Sequence, residues 1–233
     1  MFEIKNLVIG TLIILKKYTI FNIPFNAEEE KDDLVLGVFT APILGFLLGL
    51  ILGILSLTKL FSPFILYSLI ILAGYLVLTK AQSLINANKF ISSDIINPSE
   101  NRELYSQLFT TFSILIYFTL FSISSTKAVI LMPMVGFCGL IISSGFTNDT
   151  NTTSIILNNT TPVHIMFAFV FSFAITAIIG YKYIISLALT YIALMGLIFV
   201  MQKKSKIFSP YKESFLIEAS QLLFFIISLF IKF

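Results

Sequence analysis

The sequence predicts an all-α fold, a polytopic bundle of membrane-crossing helices. Three observations carry that prediction. Hydrophobic residues make up 57% of the 233-residue chain and charged residues only 12%, whereas a soluble domain is about a quarter charged. The mean hydropathy is +0.97. Uncharged runs of about 20 residues, the length that spans a bilayer core, recur along the chain. No segment has the composition of a domain that folds in water, so residues 1–233 are read as one membrane domain.

The N-terminal stretch MFEIKNLVIGTLIILKKY places Lys16 and Lys17 after a short apolar run. A secretory signal has its charges before that run. The stretch therefore predicts a short interfacial or re-entrant helix. The spans expected after it are 34–58, 60–79, 104–126, 128–148, 163–181, 183–202 and 214–231, giving about seven transmembrane helices. Pro63 falls in the first turn of the second span, where a missing N–H costs little.

The loops orient the spans. Lys16, Lys17, Lys31, Lys80, Lys89, Arg102, Lys203, Lys204, Lys206 and Lys212 fall on one side. Lys59, Lys127, Lys182 and Lys232 fall on the other. The richer side is expected to be cytoplasmic, so the N-terminal region and the loops 80–103, 148–162 and 203–213 are placed there, on a protein of the plasma membrane. The Asn/Thr-rich loop 147–162 has formal N-x-T acceptors at Asn148, Asn151, Asn158 and Asn159. Placed in the cytoplasm, they read as a solvated loop. The net charge of +3 gives no reason to expect nucleic acid; membrane lipid is the expected partner. A homo-oligomer is left open.

The working face is expected in the stretch Ala73 to Phe90. It begins as the end of an apolar helix and runs into Lys80, Gln82, Asn86, Asn88 and Lys89, with no Gly or Pro to stop it there. A helix carrying its polar residues out of a membrane into water reads this way. Gly45, Gly49 and Gly53 recur every fourth residue, a spacing that lets two helix backbones approach closely. Pro42 nearby suggests a helix start or kink. Glu218 is the single acid inside an expected span, and Gln221 shares its face. Such a carboxyl either snorkels to the surface or faces a partner, and its functional reading is a magnesium or substrate contact. Arg102 has the chemistry to grip a phosphate, though beside Glu103 it also reads as a surface ion pair or helix-start charge. Cys138 and His164, each the only one of its kind, read as structural residues.

Several short motifs resemble one family. Thr40-Ala-Pro-Ile-Leu-Gly-Phe-Leu-Leu-Gly49 resembles the F-P-L-x-G-x-x-x-G stretch of the cobalamin synthases (adenosylcobinamide-GDP ribazoletransferases, or cobalamin 5'-phosphate synthases). Asn22-Ile-Pro-Phe-Asn26 resembles that family's T-R-L-P-V-P, and Leu216-Ile-Glu-Ala-Ser-Gln-Leu-Leu-Phe224 its I-E-x-x-E-L-x-F. The family's acid-rich motif, G-G-x-H-x-D-G-x-A-D-x-x-D-G, corresponds to Ala73 to Asn86. There its His position reads Leu76, and its Asp positions read Leu78, Gln82 and Ile85. Its R-D-S-R-x-G survives at best as Arg102-Glu103.

The resemblance implies a membrane enzyme that joins a ribazole group to a GDP-activated corrinoid, releasing GMP with magnesium as cofactor. It implies Glu218 and Glu103 as catalytic candidates, Glu218 also as metal ligand, and Arg102, Lys80, Gln82 and Asn86 as contacts to corrinoid or nucleotide-like molecules. Leu and Ile cannot bind magnesium. Losing one preorganised electrostatic contact costs about two to three decades in rate. The expectation is a weakly active or inactive member of that family. The alternative is a non-catalytic membrane protein that binds a corrinoid or nucleotide, or scaffolds other membrane enzymes.

Overall fold

The computed structural model describes residues 4–24, 30–95, 101–146, 154–204 and 211–231, and the described residues hold helices and no strand. Ten α-helices follow one another among them: α1 (Ile4–Tyr18), α2 (Lys31–Ser56), α3 (Phe64–Leu78), α4 (Gln82–Phe90), α5 (Arg102–Ile123), α6 (Thr126–Ser144), α7 (Ile155–Asn159), α8 (Pro162–Gly180), α9 (Tyr183–Lys204) and α10 (Lys212–Phe230). Six are long and apolar enough to cross a membrane: α2, α5, α6, α8, α9 and α10. The bent pair α3–α4 makes a seventh if it counts as one broken span. The 15 residues of α1 reach about 22 Å, short of a hydrocarbon core of about 30 Å.

Helix α6 is the axis. Its residues from Val129 to Ser143 are buried with the single exception of Ile130. Helix α2 packs along one side of it and α10 along another. The glycine stripe sets the first contact. A Cβ on Gly49 would lie 1.9 Å from the Ile130 carbonyl oxygen, and one on Gly45 2.8 Å from that of Pro133. The stripe therefore serves close packing within the chain. Pro42 lies inside α2 rather than starting it. Helix α1 meets α2 in the same way, through Gly10 and Gly37.

The segment after α3 departs from expectation. The apolar helix does not run on into water. It stops at Leu78, and Lys80 (φ 55) and Ala81 (φ 53) take left-handed backbone. The chain turns by 82°, and α4 returns against α10 and α5. The cause lies in α4, whose Leu84, Ala87, Asn88 and Phe90 are buried. Apolar burial gained by docking outweighs a cost of about 1–2 kcal/mol for each left-handed non-glycine residue. A π-helical turn, Ile91–Ile95, follows α4.

Contacts between loops group the helix ends as the charge pattern does. At one end the Ile20 N–H donates to the Leu78 carbonyl, and the Lys80 ammonium donates to that of Lys16. At the other, the Tyr67 hydroxyl donates to the Ser122 carbonyl, and the Ser125 and Tyr183 hydroxyls meet at 2.5 Å.

Candidate functional site

The polar centre of the bundle is built on α10. Glu218 is 3% exposed, so its carboxyl does not snorkel to the surface. The Tyr75 hydroxyl donates to its Oε1 at 2.7 Å, and the Tyr117 hydroxyl donates to its Oε2 at 2.6 Å. Both phenols also lie near the Gln221 Oε1, at 2.8 Å for Tyr75 and 3.2 Å for Tyr117. Three helices thus meet at one carboxyl group, α3 bringing Tyr75, α5 Tyr117 and α10 both Glu218 and Gln221. The one-turn spacing of Glu218 and Gln221 puts them on the same face. Gly136 on α6 leaves the room Gln221 occupies: a Cβ there would sit 2.6 Å from the Gln221 Nε2. The phenol rings stack into the core, Tyr75 on Tyr117 and Tyr117 on Phe121, with Phe225 against Phe121.

A second cluster lies at the N-terminus of α10. Glu213, 3% exposed, receives the Lys17 ammonium at 2.5 Å on Oε2. Its Oε1 accepts from the Ser154 hydroxyl at 2.5 Å and the Ile156 N–H at 3.0 Å. It ties α1, α7 and α10 together, and its position in the first turn suits the positive end of the helix dipole. Burial, and then the neighbouring Glu213 carboxylate, hold the Tyr18 phenol well above its usual range. A cavity of about 20 Å³ borders both clusters, lined by Tyr18, Tyr75, Thr79, Ser83 and Gln221 among others. Ligand pockets run to hundreds of cubic ångströms, so this cavity is too small to hold a substrate-sized molecule.

The other expected site residues do not converge on Glu218. Gln82 donates to Asn86 at 2.8 Å on the exposed side of α4. Lys80 is tied to the Lys16 carbonyl. Glu103 lines a separate groove of about 870 Å³ between α4 and α5. Arg102 opens α5, and its side chain lies outside the described residues. So do Asn148 and Asn151 of the Asn/Thr-rich loop, while Asn158 and Asn159 belong to α7. His164 caps the start of α8: its Nδ1 accepts from the Thr161 N–H at 2.9 Å, and its ring lies against Phe39.

Magnesium, which the family resemblance implies, does not fit the residues present at Glu218. Each carboxyl oxygen already accepts a phenol proton, and around it stand an amide, the Ser83 hydroxyl and aromatic rings. Among the described residues, no three His, Cys, Asp or Glu side chains gather as a metal site. Magnesium prefers a carboxylate with several retained waters, and the adjoining cavity has room for about one. Sequence reasoning found Glu218 and Gln221. It missed Tyr75 and Tyr117, which lie in apolar runs with no local sign of a carboxyl partner. No family model, curated protein or solved structure matches the chain.

Proposed function

We propose that this chain is an integral membrane protein on the cobalamin synthase scaffold that has kept the bundle and has little or no ribazoletransferase turnover. The reading rests on the motifs Thr40 to Gly49, Asn22 to Asn26 and Leu216 to Phe224. The observation that carries the loss of activity is the engagement of both Glu218 oxygens by Tyr75 and Tyr117. In the resemblance Glu218 is the surviving acid of the C-terminal motif. Held by two phenols in the core, it acts as a latch joining α3, α5 and α10. Displacement at a pyrophosphate needs its spreading negative charge neutralised. The acid-rich motif that resemblance assigns to this task reads Leu78, Gln82 and Ile85 here.

In this reading the seven spans comprise the six long helices and the broken pair α3–α4, with α1 as a re-entrant helix held on α2. The end bearing Lys17, Lys80 and Lys89 is cytoplasmic, by the excess of positive charge. The test is reconstitution in vesicles with GDP-cobinamide, ribazole phosphate and magnesium, followed by release of GMP. The expected release matches protein-free vesicles. Turnover near that of a family member with an intact Asp-rich motif, or normal rescue of a strain lacking its own cobalamin synthase, would refute the proposal.

A further inference from the structure

The groove between α4 and α5 is a different kind of place from the Glu218 cluster. Its volume is about 870 Å³, and it is lined by Lys89 of α4, Ser92 and Ser93 of the π-turn, and a polar stripe on α5. That stripe is Glu103, Ser106, Gln107, Thr110 and Thr111, residues that share one helix face. With Arg102 at the membrane surface, Thr111 lies about 13 Å along the helix, deeper than a headgroup layer of roughly 6 Å. The Thr110 and Thr111 hydroxyls donate back to the Ser106 and Gln107 carbonyls of their own helix, at 2.8 and 3.0 Å, so the groups left for a partner lie nearer the surface. Among the described residues, the side chains of Ser93, Glu103, Ser106 and Gln107 have no hydrogen bond or ion pair within the protein. Among the described residues the groove is lined by two charges, Lys89 and Glu103, which are not paired with each other. The Lys89 ammonium lies over the Tyr211 ring, 5.7 Å from its centre.

The outer face of α5 is apolar and uncovered. Leu104 is 54% exposed, Leu108 46%, Phe112 60% and Leu115 55%. A shallow trough of about 250 Å³ continues along it past Phe112, Leu115 and Ile116. Among the described residues, a polar groove lined by one cation and one anion thus opens beside an apolar track on the same helix.

We infer that this groove holds the headgroup of a zwitterionic phospholipid, with the phosphate at Lys89, the ammonium at Glu103 and an acyl chain along the α5 trough. Charge complementarity selects the headgroup: a cation and an anion held apart match a phosphate diester and an ammonium on one molecule. Ser93, Ser106 and Gln107 supply hydrogen-bond donors for the phosphate and glycerol oxygens. The inference does not rest on the transferase reading, since Glu218 takes no part in the groove.

The test is native mass spectrometry of the whole protein in detergent, titrated with phosphatidylethanolamine or phosphatidylglycerol bearing the same acyl chains. The wild type is expected to retain phosphatidylethanolamine in preference. Lys89→Ala is expected to weaken that retention by about tenfold or more, the loss of one charge-assisted contact. Glu103→Lys leaves two cations in the groove and is expected to invert the preference toward phosphatidylglycerol, a gain that misfolding cannot mimic. Ile178→Ala, at a residue 80% exposed on α8, is expected to change neither. Equal retention of the two lipids by the wild type, no retention at all, or an unchanged preference in Glu103→Lys would each overturn the inference.

Discussion

Removing the phenol hydroxyls should show what the Glu218 cluster does. Tyr75→Phe and Tyr117→Phe each delete one O–H while keeping the ring that packs on Phe121. Each leaves one oxygen of a carboxyl group that is 3% exposed without its donor. A buried acceptor stripped of its partner costs about 1–3 kcal/mol. The double variant takes both phenol donors away, which costs about 2–6 kcal/mol if the two losses add. For a chain of this size that corresponds to a fall of roughly 4–24 °C in unfolding temperature. Adding Glu218→Met to the double variant removes the stranded carboxyl and should recover part of the loss, because an apolar replacement of similar volume is about neutral, while the Gln221 Oε1 still lacks its phenol donors. Cys138, the lone cysteine, supplies the assay: it is fully buried in α6 and should react with a fluorogenic maleimide only as the bundle opens. If both phenylalanine variants unfold at the wild-type temperature, or if Glu218→Met fails to rescue the double variant, the latch account is wrong.

The same thiol assay checks four further expectations. Gly49→Ala should destabilise by about 1–3 kcal/mol through overpacking, since its Cβ would lie 1.9 Å from the Ile130 oxygen. Gly196→Ala, with nothing within 4 Å, should be neutral or stabilising by up to about 1 kcal/mol. Ala81→Gly should stabilise by about 1 kcal/mol, because glycine adopts the left-handed φ of 53 without a Cβ penalty. Lys17→Met should cost about 1–3 kcal/mol by leaving the buried Glu213 with only its Ser154 and Ile156 donors. Limited proteolysis of Lys17→Met should cut first around α7, which that carboxylate anchors.

The long helices were legible because an uncharged run near bilayer length admits few other readings. Helices α2, α5, α6, α8, α9 and α10 begin and end within a few residues of the expected spans. The close-packing role of Gly45, Gly49 and Gly53 was legible as well, but not their partner α6, which lies more than seventy residues further along the chain. The break after α3 was not. Nothing among Thr79, Lys80, Ala81 and Gln82 signals a stop, and the turn is imposed by tertiary burial of Leu84, Ala87 and Phe90. The site was half legible for a related reason. Glu218 and Gln221 sit one turn apart on a single helix, so spacing alone joins them. Tyr75 and Tyr117 are 143 and 101 residues from Glu218, and only the folded bundle brings them to it.

The most direct measurement is an experimental structure of the protein in lipid, determined with manganese in place of magnesium and with anomalous density examined around Glu218. The account predicts the Tyr75 and Tyr117 hydroxyls within hydrogen-bond distance of the carboxyl oxygens and no manganese peak beside them. A manganese ion bound to Glu218 together with a second acid, with the phenols turned away, would contradict it.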